Sequence, residues 1–299
     1  MSEYHDPVLL SECLDGLNIN PKGTYVDVTF GGGGHSRAIV SKLSKGHLYA
    51  FDQDDDALKN ELDDDSFTLI NANFKYLKSS LRMYGVKEID GLLADLGVSS
   101  HQFDLPDRGF STRFEADLDM RMDQNSDLNA YKVINEYDQE DLKKILKLYG
   151  ELKRPGTVAR IIYEARIEKP ITTVNELKEL LKPLTPAMLE NKFFAQVFQA
   201  VRIEVNDELN VLREMLSQAQ EVLKPGGRLV VISYHSLEDR LVKNLIQKGN
   251  FEGELEQDFY GNKLLSFKKI SKKPILPSNE EIKRNNRARS AKLRIAEKL

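Results

Sequence analysis

Residues 25–36 decide the fold; they read Tyr25-Val-Asp-Val-Thr-Phe-Gly-Gly-Gly-Gly-His-Ser36. The first six residues are rich in β-branched and aromatic side chains, which favour a strand. The consecutive glycines then lead into a helical pattern through Ile39, Val40 and Leu43. Glycines at such a turn let the backbone approach a ligand closely, and the N–H groups at the start of a helix attract an anion. The stretch therefore predicts a strand, a ligand-binding loop and a helix.

The same alternation continues through the first hundred residues. Short apolar runs are separated by helix-length segments, which is typical of βαβ units and a parallel sheet. Asp52 and Asp95 directly follow two of these runs, at the strand ends where ligands bind in open α/β sheets. The predicted strands after the first are 47–51, 67–70, 89–94 and, near the end of the chain, 228–233.

A helical segment interrupts this alternation. From about residue 103 to 206 there is no convincing strand, and helical patterns are separated by glycine or proline. We therefore predict an α/β fold with a doubly wound, Rossmann-like domain, residues 1–104 and 207–299, and an inserted all-helical domain, residues 105–206. The pattern also predicts one long helix over 193–223 and a β-hairpin over 255–270 around Gly261-Asn262.

Composition limits the class of protein. The chain has 299 residues, 40% of them hydrophobic, and a formal charge of −4, which excludes a uniformly basic nucleic-acid-binding surface. Its single cysteine, Cys13, excludes a disulfide framework and a Cys-based zinc site, and no H-x-x-x-H spacing suggests a metal. The first residues lack the pattern of a signal peptide, and no apolar run approaches the roughly 20 residues of a membrane span. We expect a cytoplasmic protein without metal or membrane partner.

The last seventeen residues differ in charge from the rest. Between Lys283 and Leu299 the only acid is Glu297. Two interpretations remain open, a solvated tail or helix and a segment that contacts phosphates. The cations are Lys283, Arg284, Arg287, Arg289, Lys292, Arg294 and Lys298.

The glycine loop and Asp52 together suggest the ligand. Counting G-x-G-x-x-G from Gly31 places Ser36 at the third glycine, which disfavours a dinucleotide pyrophosphate. Asp52 follows the loop by about 20 residues, the position from which a carboxylate binds ribose hydroxyls. Its alternative role is a helix cap within the acidic run 52–56. An adenosine ligand without phosphates fits both features, and S-adenosyl-L-methionine answers that description.

Two further strand ends carry candidate catalytic residues. Asp95 ends the fourth strand, which in doubly wound methyltransferases faces the reacting methyl group, although it can also serve as a strand-end cap. The Pro-Pro-aromatic motif of DNA amino-methyltransferases does not follow it. His235 follows the fifth strand, where it could orient a base, touch a phosphate or be structural. No G-x-S-x-G elbow supports a hydrolase.

Several long motifs, in order along nearly the whole chain, resemble the bacterial ribosomal RNA small-subunit methyltransferase H family (RsmH, also called MraW). That resemblance implies a class I S-adenosylmethionine-dependent methyltransferase that methylates N4 of a decoding-region cytidine (cytidine 1402) in 16S rRNA of the small ribosomal subunit. The motifs are His5-Asp-Pro-Val-Leu-Leu10, Gly31 to Ser36, Asp95-Leu-Gly-Val-Ser-Ser100, Arg108-Gly-Phe-Ser111, Leu118-Asp-Met-Arg-Met-Asp123, Phe198-Gln-Ala-Val-Arg-Ile203, Val205-Asn-Asp-Glu-Leu209, His235-Ser-Leu-Glu-Asp-Arg240 and Asn286-Arg-Ala-Arg-Ser290.

The resemblance also implies individual site residues. Phe74, which the sequence alone would place in the core, lies against the adenine in this reading. Candidate catalytic residues are Asp95, Ser99 and His235. The cofactor contacts carried over are Gly33, Gly34, His35, Asp52, Phe74, Asp95 and Gln102.

The chain departs from the family pattern at two places. His101 stands where a proline is usual, and residues 191–196 replace a Lys/Arg-rich stretch, which leaves the rRNA contacts of the insertion open. Arg108, Arg121 and Arg202 either line a substrate cleft or pair with the acids of 117–123.

Three other functions compete with this reading. One is a non-catalytic ribosome-assembly factor that retains the cofactor pocket. Another is a DNA or small-molecule methyltransferase. An oxidoreductase is the least favoured of the three alternatives.

Overall fold

The computed structural model describes residues 7–299, which divide into two compact units. The sheet unit comprises residues 7–97 and Leu209–Leu299, and the helical unit comprises Val98–Glu208. The helical unit thus begins earlier than residue 105, because Val98 and Phe103 pack against its apolar core. His5 and Asp6, the start of the first family motif, lie outside the described residues.

The sheet unit contains a seven-stranded sheet in the order β3-β2-β1-β4-β5-β7-β6 within the described residues. The strands β1 to β5 pair in parallel, and β7 is antiparallel to both β5 and β6. This topology confirms the predicted doubly wound, Rossmann-like fold. The strands are β1 (Thr24–Asp27), β2 (His47–Asp52), β3 (Phe67–Asn71), β4 (Ile89–Asp95), β5 (Leu223–Ser233), β6 (Phe267–Lys269) and β7 (Lys292–Lys298).

The helices of the two units alternate with these strands or form the insertion. In chain order they are α1 (Leu10–Leu17), α2 (Gly34–Val40), α3 (Asp55–Leu58), α4 (Leu77–Met83), α5 (Ser100–Asp104), α6 (Ala130–Glu136), α7 (Gln139–Leu148), α8 (Pro155–Glu168), α9 (Val174–Leu181), α10 (Glu190–Asn206), α11 (Glu208–Val222), α12 (Ser236–Lys248) and α13 (Asn279–Arg284). None of the helices within residues 7–299 combines the length and apolar composition that a membrane span requires.

Both faces of the sheet are buried. Successive residues of β4 alternate between two apolar clusters: Leu92 belongs to one and Leu93 to the other. Leu229 and Val230 of β5 alternate in the same way. Because each central strand needs an apolar side chain on either face, these strands read as continuous apolar runs in the sequence.

The strand order reverses between β1 and β4. From β1 the chain builds outward through β2 and β3, then returns to place β4 on the other side of β1. In open α/β sheets ligands bind at this switch point, outside the carboxyl ends of the strands. The glycine loop follows β1, so the fold directs it to that position.

The helical unit has its own apolar core, formed mainly by α6 to α10. Side chains cap its helices: Asn129 accepts from the Lys132 N–H at the start of α6, and Thr173 forms a capping box with Glu176 at the start of α9. Such caps satisfy N–H groups that lack a partner inside the helix.

Two secondary-structure predictions differ from the structure. The predicted helix over 193–223 is two helices, α10 and α11, because Asp207 adopts a left-handed conformation (φ 48°) between them. The predicted hairpin over 255–270 is shorter than expected: backbone hydrogen bonds from Asp258 to Asn262 and from Leu264 to Glu256 form a turn around Gly261-Asn262. The end of the predicted segment forms β6, which pairs with β7. Phe267 of β6 is fully buried, which fixes that strand to the main sheet.

The basic C-terminal segment is only partly a tail. Residues 292–298 form β7, which neither interpretation of the sequence included. Alternate residues of β7 are apolar and buried, including Leu293 and Ile295. Arg294, on the other face, pairs with Asp239 of α12 through two hydrogen bonds of 2.7 and 3.1 Å. The strand therefore removes one cation of the segment from solvent.

Candidate active site at the carboxyl edge of the sheet

Three aspartates end the parallel strands β1, β2 and β4. They are Asp27, Asp52 and Asp95. The sequence pattern singles out Asp52 and Asp95 but not Asp27, because the predicted first strand runs to Phe30, whereas β1 ends at Asp27. The fold collects all three at one edge of the sheet.

Asp27 fastens the neighbouring backbone. Its side chain is 1% exposed, and Oδ2 accepts a 2.7 Å hydrogen bond from the Ser36 hydroxyl at the start of α2. Oδ1 accepts from the N–H and the hydroxyl of Thr29. The Thr29 hydroxyl in turn accepts from the N–H of Asp95 at 2.7 Å. This chain of hydrogen bonds ties the ends of β1 and β4 to the glycine loop.

The glycine loop is held from several sides. The N–H of Gly31 donates to Asp52 Oδ2 at 2.8 Å, and Arg37 Nη1 donates to the carbonyl of Gly32 at 2.7 Å. Gly33 has φ 74°, and a Cβ there would lie 2.9 Å from the ring of Phe30. Only glycine adopts this conformation without strain, which explains Gly33 in the loop.

Asp52 is a half-buried carboxyl with acceptor positions to spare. Oδ1 accepts from the Asp54 N–H at 2.9 Å and Oδ2 from Gly31. Burial raises the pKa of Asp52 to about 6, although both N–H bonds oppose that rise. A carboxylate offers about four acceptor positions. Asp52 therefore holds the glycine loop and still has acceptor positions that ribose hydroxyls could use. The helix cap that the acidic run 52–56 could supply is Asp54, which caps α3.

Asp95 is held at one oxygen and faces a histidine with the other. The hydroxyl of Tyr234 donates to Asp95 Oδ1 at 2.8 Å, and Oδ2 lies 3.9 Å from Nδ1 of His35. The side chain is 23% exposed. Burial raises the pKa of Asp95 to about 6, while His35 and Tyr234 favour the ionised form. A carboxyl that titrates near neutrality at a strand end is suited to proton chemistry.

His35 sits between the N-terminal segment and Asp95. Its Nε2 lies 3.0 Å from the carbonyl oxygen of Val8, and the side chain is buried. Because a carbonyl only accepts, Nε2 carries the proton of that hydrogen bond. His35 thus fixes the chain before α1 against the glycine loop, and its predicted contact with the cofactor remains a prediction.

His235 is buried with unsatisfied ring nitrogens. It precedes α12, its side chain is 8% exposed, and within residues 7–299 neither ring nitrogen makes a hydrogen bond. Nε2 lies 3.2 Å from Glu238 Oε1, an ion-pair distance if the ring is protonated. Buried polar atoms are usually hydrogen-bonded. Glu238 is therefore the partner that the described chain offers to this ring.

The remaining predicted site residues have local structural roles. Ser99 and Gln102, both in the helical unit, form a capping box at the start of α5: the Ser99 hydroxyl accepts from the Gln102 N–H at 3.1 Å. Phe74 starts a 3₁₀ turn after β3 and packs partly against the apolar core of the sheet unit. Their catalytic and cofactor roles remain predictions.

The three arginines of the insertion are largely satisfied within the helical unit. Arg121 binds Asp119 through two hydrogen bonds, which confirms that pairing. Arg202 binds Glu208 through two hydrogen bonds of 2.8 and 3.0 Å. Arg108 is buried and donates to the carbonyls of residues 121 and 122. We infer that all three organise the helical unit.

Comparison with known proteins adds the family. A sequence model described as the MraW methylase family matches residues 2–299. The chain belongs to the MraW methylase family. Two relatives are both called ribosomal RNA small subunit methyltransferase H. The protein of Flavobacterium johnsoniae is 62% identical and that of Christiangramia forsetii 60% identical; the alignments cover 99% and 100% of this chain and 98% and 99% of theirs.

Family membership confirms the resemblance found in the motifs. MraW methylases are S-adenosylmethionine-dependent methyltransferases, so the cofactor predicted from the glycine loop and Asp52 is confirmed at the level of the family. The differences from the family pattern at residues 101 and 191–196 therefore occur in a chain that matches its relatives over almost its whole length.

Proposed function

We propose that this chain transfers a methyl group from S-adenosylmethionine to N4 of a decoding-region cytidine, cytidine 1402, of 16S rRNA in the small ribosomal subunit. The observation that carries the proposal is Asp95, whose carboxyl titrates near neutrality at the topological switch point of a methyltransferase sheet. The names of the relatives supply the substrate class, small-subunit ribosomal RNA.

The residues present fit the cofactor. S-adenosylmethionine carries a sulfonium and an ammonium. Burial raises the pKa values of Asp52 and Asp95, and the charge of Asp27 adds a smaller contribution to each. A cationic ligand would favour the ionised form of both carboxyls. Gly33 keeps the backbone free of side chains where the ligand approaches. Asp52 has the acceptor positions that a ribose requires.

Asp95 is proposed to act on the substrate amino group. The cofactor supplies a methyl group on a sulfonium, which is already an activated leaving group. The lone pair of a cytosine amino nitrogen is delocalised into the ring, so the amino group needs an acceptor that holds one N–H and localises the lone pair on nitrogen. Asp95 Oδ2 is such an acceptor. One N4 proton must also leave, and a carboxyl with a pKa of about 6 can receive it near neutral pH.

Positively charged side chains are proposed to hold the rRNA. Lys283, Arg284 and Arg289 are exposed on α13 and the following turn of the sheet unit. Cations that contact phosphates release counterions, which favours binding. His235 is proposed to bind the nucleotide with its unsatisfied ring nitrogens. We also propose that the helical unit recognises the rRNA and that the protein acts in the cytoplasm.

The experiment is methyl transfer from labelled S-adenosylmethionine. The acceptors compared are small ribosomal subunits lacking the modification, protein-free 16S rRNA and double-stranded DNA. Transfer to the subunits above the other two supports the proposal. Cofactor binding without any transfer would favour a non-catalytic ribosome-assembly factor. Transfer to DNA would favour a DNA methyltransferase.

A further inference from the structure

Tyr234 contacts the carboxyl that the proposed reaction depends on. It follows β5 directly, and its hydroxyl donates to Asp95 Oδ1 at 2.8 Å. Burial and the neighbouring Asp95 raise the pKa of Tyr234 well above its usual value near 10. The phenol therefore keeps its proton throughout the working pH range and acts as a permanent donor.

The Tyr234 side chain is held in place. Its backbone N–H donates to Glu238 Oε2 at 2.9 Å, which anchors the residue to the first turn of α12. The ring packs beside Gly97, where an added Cβ would lie 3.7 Å from Tyr234 Cδ2. The ring also joins the apolar cluster that covers one face of the sheet. Because the Tyr234 hydroxyl is held in place, its hydrogen bond also restricts the position of the Asp95 carboxyl.

We propose that Tyr234 is a positioning residue: its hydroxyl holds Asp95 by Oδ1, leaves Oδ2 for the amino group of the substrate and keeps the carboxyl ionised. This inference rests on the proposed function, because the position of Asp95 affects the rate only if Asp95 acts in the proposed methyl transfer. Tyr234 itself need not touch the substrate.

The surroundings of Asp95 make the hydroxyl important. Burial is the main factor that disfavours its ionised form, and the acids Asp27 at the end of β1 and Glu238 on α12 add smaller contributions. Cys13 on α1 also interacts with Asp95, and burial raises the pKa of this thiol well above its usual value, so it stays neutral. Against these stand His35 on α2 and the Tyr234 hydroxyl. Removing the hydroxyl leaves His35 alone, so the pKa of Asp95 should rise.

The first test is the pH dependence of kcat for Tyr234→Phe. We expect the acidic limb of the profile to move to higher pH by about one unit, since the Tyr234 hydroxyl favours the ionised form of Asp95 and the variant lacks it. Near pH 6.5 kcat should fall about threefold, the loss should approach tenfold at lower pH, and kcat should recover by pH 9. A purely structural role would lower kcat equally at every pH.

Tyr25→Phe is the matched control. Tyr25 is fully buried in the same unit, and its hydroxyl accepts a 2.6 Å hydrogen bond from the Asn20 N–H. The control loses a buried phenol hydroxyl without any contact to Asp95, so its pH profile should keep the wild-type shape. A shift of equal size in both variants would overturn the proposal.

A second measurement separates this inference from the proposed function. The Asp95 carboxyl is titrated by ¹³C NMR in the unliganded wild type and in Tyr234→Phe, which requires no turnover. A higher pKa in the variant supports the coupling, and an unchanged pKa overturns it. A higher pKa with an unchanged kcat profile would overturn the positioning role and the catalytic role of Asp95 together. Absence of transfer by the wild type would refute the proposed function, while the titration would still decide the coupling.

Discussion

At the scale of single residues, the three strand-end aspartates differ in what their carboxylates do. Asp27 is almost completely buried, and its carboxylate oxygens accept hydrogen bonds from Ser36 and Thr29. Asp52 and Asp95 each keep an oxygen with spare capacity, and burial raises the pKa of both to about 6. We therefore propose that Asp27 supports the loop and that Asp52 and Asp95 bind ligand.

Asp52→Asn should weaken cofactor binding by about 10- to 100-fold, because a hydrogen bond to a charged acceptor contributes about 1.5–3 kcal/mol. In the wild type, hydroxyl donors favour ionised Asp52, so affinity should fall as the pH drops through about 6. Isothermal titration calorimetry at pH 5.5 and 8 measures both effects. An affinity that is unchanged by the substitution and independent of pH would contradict the assignment.

Gly33→Ala should also impair cofactor binding, for a conformational reason. The positive φ of Gly33 and the Phe30 ring leave no place for a Cβ, so the loop must move. Gly85→Ala is the control: it also has φ 74°, but an added Cβ meets nothing within 4 Å. Both variants should lose about 1 kcal/mol of stability from backbone strain. Only Gly33→Ala should lose cofactor affinity, which calorimetry and thermal unfolding distinguish.

At the scale of elements, the sequence predicts best where one periodicity dominates. The strands β2 to β4 start where predicted, because short apolar runs with clear boundaries mark them. The sequence analysis did not predict β7, because the high density of cations in this segment suggested a solvated or phosphate-binding segment rather than a strand with Leu293 and Ile295 on its buried face. The site was partly predictable: strand-end acids are visible in sequence, whereas the bond between Tyr234 and Asp95 joins residues far apart in the chain.

Arg294→Met should destabilise the protein by about 2–4 kcal/mol, because among residues 7–299 it leaves the carboxylate of Asp239, 14% exposed, with Lys292 at 3.9 Å as its ion-pair partner. Arg160→Met is the control, since its pair with Glu164 on α8 is more than half exposed and should contribute less than about 0.5 kcal/mol. Denaturant unfolding measures both. Equal losses would show that β7 is not fixed to α12 as described.

At the scale of the whole molecule, the acidic edge of the sheet should cost stability at neutral pH. Asp52 and Asp95 bind protons more tightly in the folded than in the unfolded protein, because their folded pKa values are raised. By linkage, their contribution improves as the pH falls from 7 to 5, by about 1 kcal/mol each.

This pH effect is testable without cofactor. The difference in unfolding free energy between wild type and the double variant Asp52→Asn, Asp95→Asn should change by about 2 kcal/mol between pH 7 and 5. The variant should be relatively more stable at pH 7. Parallel pH dependences for the two proteins would show that these carboxyls titrate normally.

The most direct measurement of the central claim is nucleoside mass analysis of 16S rRNA. Small subunits lacking the modification are incubated with S-adenosylmethionine and either the wild type or Asp95→Asn. We predict N4-methylcytidine at a single decoding-region position with the wild type, and at least about 100-fold slower formation with the variant despite retained cofactor binding. A methyl group on another atom or nucleotide, or equal rates for both proteins, would contradict the account.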